Sequence, residues 1–199
     1  MPVIGEQLMK HTGFTLIELM MTIAIGAIIL TLGIPSFMET IRSNRLTTIA
    51  NEFVTSLNLA RSEAIKRGQP IVVRKTGANW ENGWHVFVDI DRSTIAKTNT
   101  FDSGTDIELR VYQALPANYI LRGNNNFTNF IRFDPSGTSN NIGSFALCDN
   151  RDGSNLPKPN TSRLIIVNRV GRVRMGIDSN NNSIPEKEDN TDLTSCTSP

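Results

Sequence analysis

The residues best placed to do chemistry lie near the C-terminal end of the chain. Residues 153–177 carry five basic side chains, Lys158, Arg163, Arg169, Arg172 and Arg174, and no acidic one. Arg172 and Arg174 are two apart, so on a strand they would share a face, and Arg169 would stand across a turn near 168–171. Guanidinium forks suit phosphate oxygens, and Gly171 between them would permit close backbone approach. The formal net charge is +1, so affinity for a polyanion has to come from such a local cluster rather than from bulk charge.

Other candidate chemistry is sparse. His85 is the only imidazole beyond the first thirteen residues, and it lies in an expected strand beside Trp84. Cys148 and Cys196 stand 48 positions apart with no CxxC, which argues against a metal knuckle and favours one disulfide holding the tail to the domain. Asp178, Asn180 and Asn182 occupy the first, third and fifth places of a twelve-residue calcium loop that ends at Asp189. However, Ser183 stands where such loops need Gly, and Asp189 replaces the bidentate Glu, so no metal site is expected. There is no HExxH, no phosphate-cradling glycine loop and no base beside either cysteine. The chain therefore reads as no enzyme, with no cofactor.

The element that must carry these residues begins at the other end. In residues 14–34, Glu18 is the only ionisable side chain. A helix of that length crosses a hydrocarbon core roughly 30 Å thick. A carboxylate inside such a span needs a cation, and an α-amine created by cleavage between Gly13 and Phe14 would supply one. Beyond Pro35, which is expected to kink the helix, Leu46, Ile49, Phe53, Leu57, Ala60 and Ala64 recur at helical spacing. This amphipathic segment should end near Arg67-Gly68, with Pro70 beyond it.

From residue 68 the pattern is β. Strands are expected at 71–75, 84–90, 107–115, 119–123, 130–133 and 144–149, and a hairpin at 163–177, followed by an acidic Asn/Ser-rich tail. The fold class is α+β: a long N-terminal helix, apolar and then amphipathic, packed on antiparallel sheet.

The string K-H-T-G-F-T-L-I-E-L-M around Gly13 resembles the type IV prepilin leader. That resemblance implies removal of residues 1–13 by a prepilin peptidase, N-methylation of Phe14, and a Glu18 that pairs with a neighbouring subunit's amine during assembly. The strings LARSEAIKRG (59–68), WENGW (80–84), RFDPSG, FALCD and VGRVR resemble the GspH/FimT family of minor pilins and pseudopilins. The type IV pilin fold follows from that resemblance, as do other pilin subunits as partners. It also implies an inner-membrane location before assembly and an extracellular pilus after it. The GRVR of 171–174 is similar to the GRxR of FimT-type pilins that bind double-stranded DNA in natural transformation. This makes Arg172 and Arg174 the principal expected contacts and Arg169 an outlying one; Arg163 and Lys158 join on local charge alone. A purely structural minor pilin, or a minor pseudopilin of type II secretion, would need the same helix and Glu18 but no accessible basic hairpin.

Overall fold

The computed structural model describes residues 13–199, so the leader expected at 1–13 lies, apart from Gly13, outside the described residues. Among the described residues one α-helix, α1 (Leu16–Arg67), is followed by eight strands: β1 (Ile71–Lys75), β2 (Trp84–Val88), β3 (Ile107–Tyr112), β4 (Tyr119–Gly123), β5 (Phe130–Phe133), β6 (Gly143–Asp149), β7 (Ser162–Val167) and β8 (Val173–Met175). The chain divides after Arg42 into an N-terminal unit and a compact unit, Ser43–Pro199.

In the N-terminal unit, helix α1 opens with a reciprocal cap. Glu18 N donates to Thr15 Oγ1 (3.3 Å) and Thr15 N to Glu18 Oε2 (3.5 Å), the T-x-x-E arrangement that satisfies two first-turn donors. The apolar side chains that follow, among them Ile17, Met20, Ile23, Ile28 and Leu30, are exposed. The helix runs through position 35 without interruption. Side chains at 32, 33, 35 and 36 lie outside the described residues, and among the described residues no helix is long and apolar enough to cross a membrane.

In the compact unit, the expected stripe, Leu46, Ile49, Phe53, Leu57, Ala60 and Ala64, is the buried face of α1 and lies in the core, joined there by Ala50. The strands form two antiparallel sheets, ordered β3-β2-β1-β5 and β4-β6-β7-β8. Phe53 joins helix to both sheets, its ring edge-on to Trp84 at 5.1 Å, Trp80 at 5.6 Å and Phe145 at 4.8 Å. Trp80 and Trp84 are thus core residues. Their indole N–H groups donate to Phe127 O (2.9 Å) and Ser56 Oγ (3.0 Å), as buried indoles require.

Each sheet is covered on its second face as well. Phe101 lies over His85 and Phe87 of β2, and the loop that carries it is fixed where Asp106 accepts from Ile90 N, Asp91 N and Asp102 N. On the second sheet the C-terminal tail plays this part. Leu193, Ile184 and the Cys148–Cys196 disulfide pack on Ala146, Leu164 and Ile166.

Candidate nucleic-acid interface

Strands β7 and β8 pair antiparallel through Ile165–Met175, Ile166–Arg174 and Val167–Val173. The turn that joins them follows from its residue types. Asn168 accepts from Gly171 N at its carbonyl (2.9 Å) and from Arg172 N at its side-chain oxygen (2.9 Å). Gly171 closes the turn at φ +75°, a conformation glycine adopts without strain. Arg169 and Val170 occupy the tip and are exposed, as is Arg172.

This turn is held from outside at several points. Ser139 N donates to Arg169 O (3.1 Å), and Arg169 Nη1 donates to Asn140 O (3.1 Å). Gly171 is buried, and a Cβ built on it would stand 2.0 Å from Gly137 O. Its small size therefore serves contact with the neighbouring D-P-S-G turn (134–137), which differs from the expected role of admitting a ligand's phosphate.

The arginines fall into three environments. Arg172 stands in the turn, one residue before β8, and its guanidinium has no hydrogen bond or ion pair among the described residues. Arg174 lies on β8 and is 34% exposed. Its Nη2 is 3.7 Å from Glu188 Oε1 of the tail. The two are therefore not equivalent neighbours on one strand: the turn displays Arg172, and the tail reaches Arg174. The acidic tail thus touches Arg174, while Arg169 and Arg172 have no acidic partner among the described residues.

Lys158 and Arg163 are not brought to this turn. Lys158 pairs with Asp152, whose carboxyl this contact lowers to about 2. Arg163 points to the helix, donating to Ser43 Oγ (3.0 Å), Thr47 Oγ1 (3.1 Å) and Ser162 O (2.7 Å), and burial pushes its pKa down. It is a half-buried cross-link between helix and sheet. Sequence reasoning missed Arg61 of α1, which donates to two loop carbonyls here. Its only signal was a cation off the apolar stripe, within the LARSEA string.

His85 is buried with Nε2 3.1 Å from Glu108 Oε2, and desolvation lowers its pKa against the pull of Glu108. In the calcium-like loop Asp178 accepts from Asn182 N and Ser183 N, while Asn180 and Asn182 donate to Asp192. Among the described residues no group of three His, Cys, Asp or Glu could hold a metal ion.

Residues 50–171 match the family model described as type II transport protein GspH. The chain belongs to the GspH family. Residues 8–34 match the prokaryotic N-terminal methylation motif, which spans Gly13, Phe14 and Glu18. Two crystal structures of the Pseudomonas aeruginosa (strain PAO1) type IV minor pilin FimU are similar. One is 20% identical with a TM-score of 0.53, covering 77% of this chain and 96% of that one; the other is 18% identical with a TM-score of 0.51, covering 75% and 98%. The α+β architecture is therefore the type IV pilin fold. Among curated proteins no match is found. The GspH match stops at Gly171, so Arg172 and Arg174 follow the family region instead of lying within it.

Proposed function

We propose that this GspH-family chain is a minor type IV pilin that binds double-stranded DNA through its β7–β8 turn and supports DNA uptake in natural transformation. In this reading the leader is removed after Gly13 by a prepilin peptidase and Phe14 is N-methylated. The apolar start of α1 resides in the inner membrane and then among other pilin subunits in an extracellular pilus, with Glu18 opposite a neighbour's amine. The observation that carries the DNA reading is the turn itself. Arg169 and Arg172 are exposed on a fixed backbone with no acidic partner among the described residues, as a small phosphate-binding footprint requires. Arg174 contributes at the margin, in competition with Glu188. A few phosphate contacts give sequence-tolerant, micromolar-range and salt-sensitive binding.

A second reading has its own support. The matching family model is described as a type II transport protein and ends before Arg172, which suits a structural minor pilin or a type II secretion minor pseudopilin. Replacing the chromosomal gene with an Arg169→Gln/Arg172→Gln version tests the two. Loss of transformation with pili and secretion intact supports DNA uptake, whereas unchanged transformation favours the structural subunit.

A further inference from the structure

Helix α1 brings one more arginine to the hairpin, and both of its observed contacts are to backbone. Arg61 Nε donates to Gly137 O and Arg61 Nη2 to Val170 O, each at 3.0 Å. These carbonyls belong to two different turns, the D-P-S-G turn after β5 and the turn between β7 and β8. The same two turns meet where Gly171 faces Gly137 O, with Arg61 Nε 3.0 Å from the position of a Gly171 Cβ. Arg61 is thus the third member of a contact that admits no side chain on Gly171.

We propose that Arg61 is the positioning residue of the proposed DNA-binding turn, an inference that rests on the DNA-binding reading. By fixing the Val170 peptide from the helix, while Ser139 N fixes the Arg169 carbonyl, it sets where Arg169 and Arg172 are displayed. In this reading Arg61 acts on backbone, through its Nε and Nη2 donors to the two carbonyls. A planar fork can serve two acceptors on separate loops at once, which an ammonium on a flexible stem does poorly. Holding the turn backbone in one geometry lowers the cost of ordering it on binding.

The test uses the full chain in detergent micelles, as wild type, Arg61→Gln and Arg61→Lys. Anisotropy of a labelled duplex is followed over a salt series, with amide hydrogen exchange at Gly171 and Ser139, whose N–H groups bond within these turns. Arg61→Gln is expected to weaken binding by about three- to tenfold, with the slope of log K against log salt unchanged, because no phosphate contact is lost. Exchange at Gly171 and Ser139 should accelerate by about tenfold or more, and Arg61→Lys should fall between the two. A slope reduced by about one would make Arg61 a direct phosphate contact and overturn the inference. Unchanged affinity with unchanged exchange would overturn it as well. If wild type binds no DNA, the DNA reading itself fails; accelerated exchange in the variant would then leave Arg61 a clamp of the fold alone.

Discussion

Arg172 and Arg174, two residues apart, differ in what surrounds them, and that difference makes the predictions at this scale specific. The Arg172 guanidinium has no partner among the described residues, so Arg172→Gln should weaken duplex binding by about five- to tenfold and lower the salt slope by about one. Arg174 already has Glu188 near it, so Arg174→Gln should cost less, and Glu188→Gln should raise affinity modestly. Fluorescence anisotropy across a salt series reads all three. His85 gives a prediction in pH. Desolvation depresses its folded pKa below the ordinary value, so the neutral ring is the form the fold favours. Stability is then fully present above the unfolded imidazole pKa of about 6.5 and is lost as pH falls through the lower folded value. Thermal unfolding from pH 7.5 to 5 should show that decline, and His85→Gln should flatten it whatever its effect at pH 7.5.

The elements are held by one core and one strap. Phe53 contacts both tryptophans and Phe145, so Phe53→Ala should cost about 3–5 kcal/mol by chemical denaturation. The disulfide closes the long segment between Cys148 and Cys196, and Cys148→Ala/Cys196→Ala should cost about 2–4 kcal/mol. It would also release Leu193 from Leu164 and Ile166, detectable as faster exchange along β7. Much of this scale was readable beforehand. The α1 stripe from Leu46 to Ala64 follows helical spacing, β1 and β4 occupy the expected spans, and the 168–171 turn carries Asn and Gly where its geometry needs them. The direction of Arg163 was not readable. Residues 164–167 are apolar on both faces, because the tail covers the outer one, so alternation could not tell which side Arg163 shares. The division of the strands into two sheets was hidden for a related reason: strand spacing along the chain carries no record of which strands pair. The site was legible as a cluster of charge but not as a geometry, since Arg61, Asn140 and Ser139 come from distant segments.

For the whole molecule, one chain joins an apolar helical start to a folded unit that displays cations on a braced turn. The exposed apolar side chains between Phe14 and Ile41 are a surface that lipid or neighbouring helices would cover. Glu18 has a local use in the first-turn cap, and in the proposed filament its second lone-pair set is available to a neighbour's amine. Glu18→Ala should therefore leave the folded unit's melting temperature unchanged while removing the subunit from sheared pili, as read by immunoblot. The most direct measurement is duplex binding by the unit Ser43–Pro199, wild type against Arg169→Gln/Arg172→Gln, at about 50 and 150 mM salt. Two or three phosphate contacts predict wild-type affinity falling about tenfold between those salts and near-complete loss in the double variant. Equal binding by wild type and variant, or none by either, would contradict the account.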